Sequence, residues 1–196
     1  MTNTNILIKY NKFYDDLSSL IITAKEKVLS DDPEEFIENN VNFFNKSFMV
    51  MSCAYLESYL KEICFAVVNE VNSKLKIYAI PNNLIRWSII KNKDKELKFQ
   101  DFCLCITKHD IDDELSGNVA KTISTFAKVG IDLLNSTDFY TYKDTIGFVV
   151  TKRNNIIHHN DEASDLSFDD ILIHIDIIKK YLNAIDYEVI KAFNIQ

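Results

Sequence analysis

Apolar residues recur three and four positions apart through most of the chain, the spacing of a helix with one buried face. Ile6, Tyr10, Phe13, Leu17, Leu20, Ile21, Ala24 and Val28 form one such stripe and predict a helix over residues 5–29. Ser30 to Glu35 then supplies a stop and a restart. Asp32 can cap, Pro33 suits a first helical position, and the acidic residues favour the positive end of the helix dipole. From Pro33 to about Lys74 nothing breaks the pattern, and the apolar residues between Phe44 and Val68 cover most of a helical wheel. That helix is expected to run through the middle of the fold.

Tyr78 to Asn83, around Pro81, reads as a connection. Leu84 to Ile90 and Phe99 to Ile106 are short apolar stretches on either side of a lysine-rich loop. Both are read as short helices, with a strand at 102–106 as the alternative. Asn118 to Leu134 continues as a helix despite Gly130, and Asn135 to Tyr140 as a turn. A helix from about Tyr142 to His159 follows, stopped by His159-Asn160-Asp161. Ser167 then caps a last helix through Ile171, Ile175, Ile178, Leu182 and Ile185. The expectation is an all-α bundle with long central helices and a short-helix insertion around residues 84–115. No repeat or low-complexity linker divides the chain, so residues 1–196 are read as one domain.

Composition agrees. Only three Gly and two Pro occur in 196 residues, too few for the turns of a sandwich or barrel. The net charge of -7 argues against a broad basic surface that binds nucleic acid without regard to sequence. Any such contact should be local. Cys53, Cys64, Cys103 and Cys105 match no zinc spacing and read as small buried thiols in a reducing cytoplasm. No apolar run is long enough to span a bilayer, and no motif calls for a cofactor or metal.

One residue is out of place. With Ile146 at 0° on the wheel, Val149, Val150, Ile156 and Ile157 fall within about 80° of it, and Arg153 lands at about 340°, inside the same stripe. A guanidinium keeps its charge, so a core-facing position needs a carboxylate partner or an opening that admits an anion. His158 lies about 140° further round, near Asn154. It also stands near a helix C-terminus, where the dipole favours the imidazolium. A histidine beside a fixed cation is a suitable acid–base pair for phosphate chemistry.

Arg153-Asn154-Asn155-Ile156-Ile157-His158-His159-Asn160-Asp161 resembles the signature of the HEPN superfamily (higher eukaryotes and prokaryotes nucleotide-binding): an arginine, a polar residue, and a histidine after four to six residues. The form is closest to RiboL-PSP-HEPN and MAE-type bacterial members. Tyr55 to Ile63 is similar to the family's central helix, with Glu57 as the embedded carboxylate that would partner Arg153. The resemblance implies a helical bundle that forms a homodimer across its signature helices. It also implies metal-independent RNA cleavage through the ribose 2′-hydroxyl, giving a 2′,3′-cyclic phosphate. On it, His158 moves the proton, Arg153 stabilises the phosphate and Asn154 holds geometry, with His159 as the alternative histidine. Members often act as toxins or antiphage effectors, so RNA and an antitoxin or defence-system protein are the implied partners. The other reading it allows is a non-catalytic HEPN module that binds a nucleotide or protein.

Other candidates have simpler explanations. His109 and His174 lack matching context. Trp87 suits a core anchor better than a base-stacking platform, and Lys91, Lys93, Lys95 and Lys98 suit a solvated loop. Asp169, Asp170 and Asp176 are explained by capping and solubility rather than metal binding.

Overall fold

Thr4 opens the first helix, α1 (Asn5–Val28), its hydroxyl accepting the Leu7 N–H at 3.1 Å. The computed structural model describes residues 2–32, 34–90, 99–159 and 165–195, and for residues 90 and 159 the backbone alone. α1 buries Leu7, Tyr10, Tyr14, Leu17, Ile21 and Ala24. Phe13 and Leu20, placed on that stripe from their spacing, are exposed, and Tyr14 takes the inward place beside Phe13. Pro33 lies outside the described residues.

The long helix expected from Pro33 onward is two. A single turn, α2 (Glu35–Glu38), is separated from α3 (Val41–Tyr78) by Asn39 and Asn40. Asn40 turns its side-chain amide back to donate to the Phe36 carbonyl at 2.7 Å. Asparagine competes for backbone partners in this way, which is why apolar spacing alone missed the break. The 38-residue α3 spans about 57 Å at ~1.5 Å per residue.

α4 (Asn82–Ile90) confirms the first short helix of the insertion. Phe99 to Ile106 is neither helix nor ladder strand but an extended segment. It is tied by an isolated bridge between Pro81 and Asp101 and by the Asn72 side chain, which accepts the Leu104 N–H at 2.8 Å and donates to the Leu104 carbonyl at 3.2 Å. A side-chain amide thus does the work of a neighbouring strand. Trp87, expected as a core anchor, is exposed on α4. The four lysines of the 91–98 loop lie outside the described residues.

α5 (Lys108–Glu114) starts at a reciprocal cap between Thr107 and Asp110. α6 (Val119–Lys128) ends earlier than its apolar pattern predicted, because Gly130 adopts a left-handed φ of 87° and turns the chain. A short 3-10 turn at Leu133–Asn135 leads into α7 (Thr137–His159). That helix starts five residues before the predicted Tyr142, since the Ser136 hydroxyl accepts the Phe139 N–H at 3.4 Å inside the stretch read as a turn. α8 (Phe168–Phe193) begins at the predicted Ser167, with Asp170 completing the reciprocal cap.

The bundle consists of α1, α3, α7 and α8. α3 and α8 pack on each other and on both remaining helices, so each is buried along most of its circumference. Tyr59 of α3 and Asp186 of α8 meet in the interior at 3.3 Å. Asp186 also accepts from the Thr4 N–H at 3.1 Å and from its hydroxyl. Burial raises the Asp186 carboxyl above its ordinary value, and the bonds from Thr4 and Tyr59 oppose that rise. One carboxylate therefore ties the start of α1 to the centre of the bundle. The fold is all-α, with no described helix long and apolar enough to cross a membrane.

Candidate active site

The α7 stripe is as the wheel predicts at Ile146, Val149, Val150 and Ile156, all buried. Ile157 departs from it. It is 48% exposed, because the stripe opens at this level into a pocket between α3 and α7. Arg153 lines that opening, and its charge is costly to seal against aliphatic carbon.

The side chain of Arg153 is 17% exposed, and its Nη2 donates to Glu57 Oε2 at 3.3 Å. Glu57 is shared. Its other oxygen accepts from Lys61 Nζ at 2.8 Å, one helical turn along α3. Lys61 in turn stands 3.9 Å from Asp112 of α5. Arg153 and Lys61 thus flank Glu57, with Asp112 on the far side of Lys61. Arg153 Nε is buried without a hydrogen-bond partner among the described residues. The Cys53 thiol beneath is pushed up to about 11 by burial, with the Arg153 charge pulling the other way.

The pocket has a volume of about 250 Å³. Arg153, Lys61, Glu57 and Ser58 supply its polar groups, and Val50, Ala54 and Ile157 its apolar rim. At ~30 Å³ per water it has room for roughly eight, more than a phosphate group requires. A second hollow of about 560 Å³ shares Ser58 and Lys61 and extends along α3 past Phe65 to Lys108 and Tyr10. The loop before α6 packs close to α7 here: a methyl group added at Gly117 would lie 3.3 Å from Val150 and 3.8 Å from the Arg153 guanidinium.

Of the residues predicted from sequence, the structure joins Arg153 and Glu57. Asn154 is half-buried beside them on α7. His158 is exposed and is not among the residues lining the pocket, in keeping with its place about 140° round the helix from Arg153. The His159 side chain and Asn160 and Asp161 lie outside the described residues. Lys61 and Gly117 were not singled out from sequence. Lys61 was within reach, four residues after Glu57 on a helix, whereas Gly117 approaches only through tertiary packing.

The other candidates resolve as local structure. His109 is exposed and 3.6 Å from Asp113, while half-buried His174 lies against Phe148 with ring centroids 6.1 Å apart. Asp169 pairs with Lys25, Asp170 caps α8 and Asp176 pairs with Lys180. Cys53 and Cys64 are buried as expected. Cys103 and Cys105 are exposed, because the extended segment that carries them lies on the surface.

An all-helical bundle with an Arg–polar–x3–His segment near the end of its penultimate long helix, and a carboxylate from the central helix on the arginine, defines a HEPN-type domain. The model of the RiboL-PSP-HEPN family matches residues 7–191, and the chain belongs to that family. No curated protein and no solved structure matches it significantly. HEPN domains are generally ribonuclease-like or nucleotide-binding.

Proposed function

We propose that the protein is a metal-independent endoribonuclease acting as a homodimer, with a toxin or antiphage role and RNA as its substrate. The observation that carries this reading is Arg153: a guanidinium drawn into a pocket beside Lys61, with a single carboxylate between them. A phosphodiester entering there meets two fixed positive charges, which gain strength as water leaves.

In the proposed reaction the ribose 2′-oxygen attacks phosphorus. Its proton passes to the His158 imidazole, the bond to the 5′-oxygen breaks, and that oxygen takes a proton from water, which the His158 imidazolium then restores. Arg153 holds the charge that builds on the non-bridging oxygens. Glu57 orients Arg153, and Asn154 fixes the phosphate from the same helix. His158 of one chain does not line its own pocket, so the imidazole is supplied by the second chain. Val50, Ala54 and exposed Ile157 form an apolar rim suited to that contact.

The test uses two inactive variants, Arg153→Ala and His158→Ala, alone and mixed. If each centre takes its arginine from one chain and its histidine from the other, random reassortment gives half heterodimers, each with one of two centres intact. Activity should return to about a quarter of wild type. Cleavage should leave 2′,3′-cyclic phosphate ends and survive chelator. A mixture as dead as its parts would refute the shared centre, and wild-type rates in His158→Ala would refute the catalytic role.

A further inference from the structure

The hollow next to the Arg153 pocket is a groove with three walls. α3 contributes Ser58, Lys61, Glu62 and Phe65, which stand three and four residues apart and so form one stripe. α5 contributes Lys108 and Asp112, and α1 contributes Tyr10. α5 runs antiparallel to α3, since Leu104 just before it is held by Asn72 while Asp112 lies 3.9 Å from Lys61. Lys108 therefore stands near the level of Phe65. From Ser58 to Phe65 the stripe runs about 10 Å at ~1.5 Å per residue.

Both carboxylates of the groove are engaged. Glu62 accepts from Lys9 at 2.6 Å and from the Tyr10 hydroxyl at 3.0 Å, and Asp112 lies beside Lys61. Burial and the neighbouring Glu62 raise the Tyr10 phenol above its ordinary value, so it stays a donor. Phe65 and Lys108 are not engaged in this way. Phe65 is half-buried on the core and makes no ring contact among the described residues, whereas the Tyr10 ring already has edge contacts with Phe13 and Tyr59. Lys108 is exposed and has no carboxylate partner among the described residues. An aromatic surface and a free ammonium, side by side and next to a pocket with its own cations, match the alternation of base and phosphate along a nucleic-acid strand.

We infer that this groove seats the nucleoside adjoining the phosphate held by Arg153 and Lys61, with its base stacked on Phe65 and its far phosphate on Lys108. The inference rests on reading the Arg153 pocket as a phosphodiester site. Ser58 and Lys61 line both hollows, so one strand can pass between them without leaving the surface. At about 560 Å³ the groove falls in the range of small-molecule pockets, roughly 300–1,000 Å³, and stacking uses a face that every base possesses. Single-stranded RNA is the form bound, because a base stacked within a duplex has no free face for the ring. Contact confined to two phosphates and one base also suits a chain of net charge -7.

The probe is a fluorescein-labelled single-stranded oligonucleotide with 2′-O-methyl sugars. It cannot be cut through a 2′-hydroxyl, so anisotropy reads binding whether or not the protein is a nuclease. Phe65→Leu keeps the apolar packing and removes the ring, and should weaken binding roughly tenfold, the scale of one base stacked on an aromatic side chain. An abasic site moved along the probe should cost the wild type as much at one position, and cost Phe65→Leu nothing there. Lys108→Ala should flatten the slope of log affinity against log salt by about 0.7, the share of one phosphate contact on a single strand. An unchanged slope would remove Lys108 from the site. If Phe65→Leu binds like wild type while Arg153→Gln weakens binding, the groove is not used and the phosphate pocket stands. If the loss in Phe65→Leu is the same at all abasic positions, the ring acts through packing and the inference fails. A wild-type chain that does not bind, or one that binds regardless of Arg153→Gln, would sink the phosphodiester reading and the inference with it.

Discussion

The ion pair at the centre of the site can be taken apart to ask which member the fold needs. Arg153→Gln removes the guanidinium but leaves Glu57 with Lys61 at 2.8 Å. The stranded carboxylate keeps a cation and, at 28% exposure, some water. Its loss should resemble that of a surface pair, about 1 kcal/mol or less. Glu57→Gln is the harsher change. It leaves a 17%-exposed guanidinium, with Nε already unpartnered, facing a neutral amide over the core. That costs about 2 kcal/mol, between the surface value and the 3–5 kcal/mol of a fully buried broken pair. In a chain of this size 1 kcal/mol moves Tm by about 2–4 °C, so the two variants should separate clearly.

Urea denaturation of both single variants and the double variant gives the coupling directly, expected at about 1 kcal/mol. Cleavage should respond in the opposite order. Arg153→Gln should lose roughly 10²-fold or more, the scale of removing one donor aimed at a developing charge. If Arg153→Gln costs more than about 3 kcal/mol, and as much as Glu57→Gln, the arginine belongs to a structural ion pair. The inward guanidinium would then be no argument for phosphate chemistry.

Two further outcomes test the packing around the site. Asp186→Asn leaves one carbonyl oxygen for the three donors of Thr4 and Tyr59, and should cost about 1–3 kcal/mol in urea melts. The Asp186 carboxyl is raised in the folded state, so its contribution is full below the unfolded value near ~4 and fades as pH climbs through the folded one. The variant's deficit should accordingly shrink from acid to neutral pH; a flat or growing deficit would contradict the burial argument. Gly117→Ala sets a methyl group 3.3 Å from Val150, and should cost about 1 kcal/mol, with Gly117→Val costing more. Equal melting of both with wild type would mean that the loop before α6 lifts away freely.

Much of the fold was legible because the long helices obey one rule. α1, α7 and α8 each bury a stripe readable at 100° per residue, and α3, apolar almost all round, could only be central. The errors lie where polar side chains replace backbone partners. Asn40 breaks the long helix, Ser136 starts α7 early, and Asn72 stands in for a strand beside Leu104. Each depends on where one amide or hydroxyl turns, and apolar spacing is silent about that. Gly130 is the converse case, since a glycine inside an apolar pattern does not declare its φ. At the site, Arg153 announced itself by charge against pattern, and Glu57 by position on the central helix. That Cys103 and Cys105 are exposed follows from the surface course of their segment, which no local pattern encodes.

The arrangement of α7 bears on how the proposed reaction would be controlled. Arg153 must point inward to be held by Glu57, and the repeat of the helix then carries His158 outward. Loosening the last turn to unite them within one chain would sacrifice backbone hydrogen bonds at the end of α7. Docking a second chain against the rim of Val50, Ala54 and Ile157 sacrifices none and covers apolar surface. On the proposed reading a lone chain therefore holds the phosphate-binding half of the centre and presents the proton-transfer half to its surroundings. Whatever covers the α7 surface around Ile157 and His158 would keep those halves apart, and a neutralising partner need touch nothing deeper.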